Sequence, residues 1–202
     1  VGDPKVSPDG QWIVYSVGTI DLKEDRRDRN LWMARWDGTR SVQLTFAPKS
    51  SESSPSWSPD GKFIAFVSGR DDEHDSDQVW LLNREGGEAQ KLTDFAGGVE
   101  DYVFSPDGKK LVVVVRDPDP AESGKDDKKK TPPPIVINRY AFKDDSSGYL
   151  GARREHLYLF DLATRKSEAL TSGIFDEESP SWSPDGSQIS FVSKRAEDPD
   201  RT

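Results

Sequence analysis

Two histidines, an acidic run and many carboxylates are the residues in this chain whose types suit catalysis or metal binding. His74 lies in Asp71-Asp72-Glu73-His74-Asp75-Ser76-Asp77, a run whose oxygens invite a calcium site. The calcium-loop pattern fails, because its glycine position holds Ser76 and the position needing a bidentate glutamate holds Leu82. A solvated polar hairpin loop fits better. His156, in Arg153-Arg154-Glu155-His156, has no second histidine nearby with which to share a metal. There is no cysteine, hence no disulfide, thiolate metal site or cysteine nucleophile. Gly-x-Ser-x-Gly is absent; the nearest approach, Val14-Tyr15-Ser16-Val17-Gly18, lacks the first glycine and falls in a strand. No Walker loop, Gly-x-Gly-x-x-Gly or His-Glu-x-x-His occurs. The sequence therefore assigns no catalytic, cofactor-binding or metal-ligating residue, and no cofactor is expected.

The elements that would position any site are set by a repeat. Ser-Pro-Asp-Gly occurs four times, at Ser7-Gly10, Ser58-Gly61, Ser105-Gly108 and Ser183-Gly186. Each copy precedes a β-prone run: WIVYSV from Trp12, FIAFVS from Phe63, LVVVV from Leu111 and QISFVS from Gln188. Proline presets φ at the first central position, aspartate tolerates the second, and glycine supplies the positive φ that closes a hairpin. Before three of the turns lies a short strand ending in an aromatic, at Trp57, Phe104 and Trp182, with Val6 at that place in the first copy. A third strand is expected at LWMAR, QVWLLN and LYLFDL, and a fourth at Leu44-Thr45, Leu92-Thr93 and Leu170-Thr171. From each threonine to the next repeat's serine the gap is 13, 12 and 12 residues.

Serine-to-serine spacings of 51, 47 and 78 residues match four-stranded propeller blades in the first two repeats and place an insertion in the third. The expected fold is all-β, a β-propeller of four-stranded antiparallel blades. Three blades fall at about 2–46, 54–94 and 99–171, with the insertion at 117–155, and a half blade falls at 178–202. Propellers close at roughly four to eight blades, so about three and a half blades read as an incomplete ring whose open edges invite association.

The insertion begins with DPDPAESGKDDKKKTPPP from Asp117, which reads as a mobile loop, its Lys128-Lys129-Lys130 run included. Ile135 to Lys143 follows, alternating apolar and polar from Ile137 as a strand or hairpin would, and Asp144 to Gly151 reads as a turn. A structured excursion of this kind sits on a propeller face, which makes it the place where function is expected.

Composition narrows the partners. A net charge of −9 argues against a nucleic-acid surface. No apolar stretch approaches the ~20 residues of a membrane helix, and Val1-Gly2-Asp3-Pro4 shows no signal pattern. Neither nucleic acid nor membrane is an expected partner. The compartment, cytoplasm or periplasm, is left open.

The (Trp/Phe)-Ser-Pro-Asp-Gly repeat with its later Leu-Thr resembles the propeller repeats of the periplasmic Tol system and of prolyl oligopeptidase family serine peptidases. Three longer stretches resemble the acylaminoacyl-peptidase-like branch of the latter: Asp3 to Gly10, Asn138-Arg139-Tyr140-Ala141-Phe142-Lys143 with Gly148-Tyr149-Leu150, and Arg154 to Asp161. The resemblance implies an N-terminal propeller that caps an α/β-hydrolase domain bearing a Ser-Asp-His triad, a domain absent from this chain. It implies a steric filter that admits short peptides, with a peptide substrate and the hydrolase domain or remaining blades as partners. The paired-glutamate motif by which dipeptidyl-peptidase relatives hold a free N-terminus is not recognisable, and Glu177-Glu178 is expected in the linker before the fourth repeat. The alternatives are a non-catalytic Tol-type interaction propeller and, more remotely, a ring-face enzyme such as a polysaccharide lyase.

Overall fold

A computed structural model describes residues 1–46, 51–70, 76–118, 137, 140, 142–144, 148–149, 151 and 153–196. The first blade contains β1 (Gly2–Val6), β2 (Trp12–Asp21), β3 (Arg26–Arg35) and β4 (Ser41–Gln43), paired in that order. The second contains β5 (Glu52–Trp57), β6 (Phe63–Ser68), β7 (Gln78–Asn83) and β8 (Gln90–Lys91). In the third, β9 (Val99–Phe104) and β10 (Lys110–Arg116) are followed by a two-residue hairpin, β11 (Lys143–Asp144) and β12 (Gly148–Tyr149). The blade then resumes with β13 (Glu155–Asp161) and β14 (Lys166–Ala169). β15 (Glu177–Trp182) and β16 (Ile189–Ser193) form a two-stranded sheet. All ladders joining these strands are antiparallel, and the four sheets of the repeat form an open β-propeller.

Every Ser-Pro-Asp-Gly folds the same way. The glycine N–H donates to the serine carbonyl at 2.8–2.9 Å, and the glycines take φ of 69–71°. The serine hydroxyl accepts the N–H that opens the second strand, at 2.9 Å in all four copies, and donates to the turn's own aspartate. The aspartate in turn accepts the N–H two residues on. Each turn thus closes its hairpin with side-chain bonds in place of water. Successive turns also touch. A Cβ on Gly61, Gly108 or Gly186 would meet Pro8, Pro59 or Pro106 of the preceding repeat at 3.4–3.7 Å.

The core lies between blades. Ile64 and Phe66 of β6 join Val14, Leu31 and Met33 of the first blade, while Ala65 and Val67 on the opposite face join Leu111, Val113 and Val115 of the third. Val112 and Val114 then meet Trp182 and Ile189 of the half blade. Strands buried on both faces need continuous apolar runs, which is why FIAFV and LVVVV do not alternate. Inner strands are cross-tied as well. The Trp57 indole donates to the Lys5 carbonyl at 3.0 Å, the Tyr102 hydroxyl to the Ser54 carbonyl at 2.8 Å, and the Trp182 indole to the Val103 carbonyl at 3.4 Å.

The short hairpin of β11 and β12 forms across the stretch expected as a turn, where Asp, Ser and Gly favour reversal; of Ile135 to Phe142, only Ile137, Tyr140 and Phe142 are described. His156 lies inside β13, which begins two residues ahead of the expected Leu157. Asp71–Asp75 and the lysine run fall outside the described residues.

The turns make stability acid-sensitive. The Asp9 and Asp185 carboxyls are lowered from 3.8 to about 2, chiefly by the Ser7 and Ser183 hydroxyls and then by backbone N–H groups; Asp60 and Asp107 are lowered in the same way. A depressed folded-state value favours folding while the group is ionised, so this contribution is full above about pH 4 and lost as pH falls towards about 2. Replacing all four aspartates by asparagine should flatten the fall in urea midpoint across that interval relative to wild type. A second expectation concerns Gly97, whose added Cβ would lie 1.7 Å from the Arg116 carbonyl oxygen. Gly97→Ala should destabilise the fold by about 3 kcal/mol in denaturant titration, because backbone has to move.

Candidate functional site

The second and third strands of each blade are joined at the end opposite the Ser-Pro-Asp-Gly turns, and there the long excursions emerge. The first blade's β2–β3 hairpin runs on to Asp21 and Arg26, exposing Ile20 and Leu22, and the third blade sends out the 117–154 insertion. Beneath this face the blades are held by buried polar side chains.

Between blades one and two, the Thr45 hydroxyl accepts the Leu31 N–H at 2.9 Å and donates to Glu52 at 3.0 Å. Glu52 is fully buried, and Arg70 grips its other oxygen at 2.5 Å while lying over the Phe66 and Trp80 rings. The junction of blade three with the half blade repeats this. Thr171 accepts the Leu157 N–H and donates to the fully buried Glu177, and Arg195 binds Glu177 at 2.6 Å. At the middle junction the acid's place is taken by Val99, and Thr93 donates to Gln78 at 2.9 Å instead.

His156 adds a member to the third latch. Its Nδ1 lies 3.0 Å from Glu177 and its Nε2 3.8 Å from Asp117. Asp117 begins the insertion, and its backbone N–H donates to the Arg154 carbonyl at 2.7 Å while its carboxylate accepts the Arg154 N–H at 3.0 Å. The two ends of the excursion are zipped together. The Arg154 guanidinium and the Glu155 N–H both reach Asp176, so the neck is keyed to the connection into β15. Arg116 bridges Glu100 at 2.8 Å and Glu155 at 3.1 Å. Burial pushes the Glu155 carboxyl up, against its hydrogen bond from Arg116 and with the Glu100 charge in support.

Chemically this constellation positions the neck of the insertion. Both His156 nitrogens face carboxylates, with no hydroxyl nucleophile among their described partners, and among the described residues no three His, Asp or Glu side chains are grouped to hold a metal. Glu177, expected in a linker, opens β15 and is buried. The signal for it was present: Glu52 and Glu177 each precede their turn serine by 6 residues, and Arg70 and Arg195 each follow their turn glycine by 9.

No protein-family model matches the chain. It is 33% identical over 206 residues to the uncharacterized peptidase YuxL of Bacillus subtilis, an alignment covering 99% of this chain and 30% of that protein. The backbone superposes on uncomplexed Pyrococcus horikoshii acylaminoacyl peptidase with TM-score 0.63 at 17% identity, over 93% of this chain and 27% of that one. The chain is a β-propeller similar to those of peptidases. The resemblance to the propellers of prolyl oligopeptidase family peptidases is thus borne out along the whole chain. TolB from Acinetobacter baumannii superposes with TM-score 0.60 at 21% identity, over 93% of this chain and 36% of that one, so fold alone does not separate peptidase from Tol propellers. The propeller segment spans about 30% of the length of its YuxL relative.

The latches set a graded expectation. Removing one partner of a buried pair strands the other, at about 3 kcal/mol or more. Arg70→Ala should approach that figure because its side chain is only 14% exposed, whereas Arg195→Ala, 48% exposed, should fall well short. Urea unfolding of the two variants checks the order.

Proposed function

We propose that this propeller is the substrate-gating portion of a serine peptidase that hydrolyses short peptides, with nucleophile, base and oxyanion donors carried on another domain of the same polypeptide. The observation that carries this is the 33% identity to a peptidase along 99% of the chain, joined to a constellation in which the described histidine faces only carboxylates. In this reading the blades act as a filter, and the pinned insertion narrows the approach to the catalytic domain. Folded proteins are excluded by size; short or unfolded peptides pass.

Two measurements test it. Residues 1–202 alone should not hydrolyse acyl-peptide or aminoacyl chromogenic substrates, since acyl transfer needs the assembled triad; serine-inhibitor-sensitive turnover by that segment would refute the reading. In the intact protein, unzipping the neck with Asp117→Ala should raise kcat/KM for long unfolded polypeptides several-fold relative to a short peptide. An unchanged length preference, with the variant folded, would count against gating. The fold likeness to TolB supports a second reading, a non-catalytic protein-interaction propeller. It would prevail if the intact protein showed no peptidase activity and instead bound a protein partner through the face that carries the insertion.

A further inference from the structure

The repeats supply an internal control for which side chains the architecture requires. On the rim between blades one and two lies a groove of 530 Å³ lined by Trp12, Arg40, Phe46 and Arg84 among others. A sister groove of 420 Å³ opens between blades two and three. Backbone pairing aligns the two. Arg84 N–H bonds the Lys62 carbonyl as Leu162 N–H bonds that of Lys109, and Val42 opposite Met33 corresponds to Gln90 opposite Leu81. Trp12 thus corresponds to Phe63, Arg84 to Leu162 and Arg40 to Glu88. Blade packing alone needs none of the cations that the first groove contains.

Three guanidiniums gather on the Trp12 indole: Arg84 at 5.6 Å, Arg35 at 5.7 Å and Arg40 at 6.0 Å from the ring centroid. Asp9 neutralises Arg84 at 2.9 Å and Asp37 lies 3.4 Å from Arg35. Arg40 is exposed and, among the described residues, pairs with no carboxylate. The sister groove has two lining cations, Lys91, held by Asp94 at 2.7 Å, and the exposed Arg165, but its described lining holds no tryptophan. A chain with net charge −9 thus keeps a guanidinium without a carboxylate ion-pair partner in a concave site, beside an indole and the 70% exposed ring of Phe46, with Glu85 also in the lining. Aromatic walls with one charged group to fix orientation are the makings of a small-molecule site.

We infer that this groove binds a small organic anion with a flat apolar body: the ring lies against Trp12 and Phe46, and its carboxylate pairs with Arg40. This binding is independent of peptide gating, since the groove opens between the outer parts of two blades, beside the turn ends and away from the insertion's neck.

Isothermal titration of the intact protein with 2-naphthoate, against neutral 2-acetylnaphthalene of similar shape, tests it. Naphthoate should bind saturably at one site and about tenfold tighter than the neutral compound, the worth of one charge-assisted contact. Arg40→Ala, at an exposed position, should erase that difference, and Arg165→Ala in the sister groove should leave it intact. Thermal melts establish that both variants are folded. The inference is overturned if naphthoate shows no saturation, if the two compounds bind equally, or if Arg40→Ala changes nothing.

Discussion

A four-stranded sheet with apolar side chains on both faces cannot shield them by itself, and the rest of this structure depends on that constraint. β6 and β10 are the extreme cases, buried on both sides against neighbouring blades. Stability is therefore shared among junctions, as in other stacked repeats. The half blade shows the converse: Phe191 and Val192 are 41% and 59% exposed, where their counterparts Phe66 and Val67 in the second blade are 0% and 2% exposed. The residue type is unchanged; the neighbouring strand is what differs.

Apolar faces alone leave blades free to slide, and directional bonds remove that freedom. Glu52 and Glu177 each tie the threonine of one blade to the first strand of the next, with an arginine two residues beyond that blade's second strand neutralising the charge. At the middle junction Val99 replaces the acid, and Gly97 comes so near Arg116 that a side chain has no room. The polar latches fall at the same end of the sheets as the excursions, and His156 and Asp117 extend one of them to the insertion's neck. The element that carries the peptidase resemblance is thus anchored to the joint between two blades.

Much of the fold was legible because its signals are local. Proline and glycine fix turn dihedrals within four residues, and β-branched runs mark strands wherever they fall, so repeat number, strand order and the odd third blade follow from spacing. The latches were harder. Glu177 looked like a linker residue because a lone glutamate carries no mark of burial; only comparison with Glu52 at the same offset, and Arg70 with Arg195, would have exposed it. The short hairpin of β11 and β12 was not legible, because Asp144 to Gly151 reads as turn alone and a two-residue ladder leaves no alternation to detect.

By itself, then, the sequence determined the blades, since a turn and a strand are decided by neighbours along the chain. Only the tertiary structure decided which carboxylates are buried, that both His156 nitrogens face acids, and that Trp12 gathers guanidiniums from two blades. Those facts join residues up to 72 positions apart, Trp12 and Arg84 being the widest pair. Their energetics depend on solvent exclusion and on distance in space, which local sequence pattern does not encode.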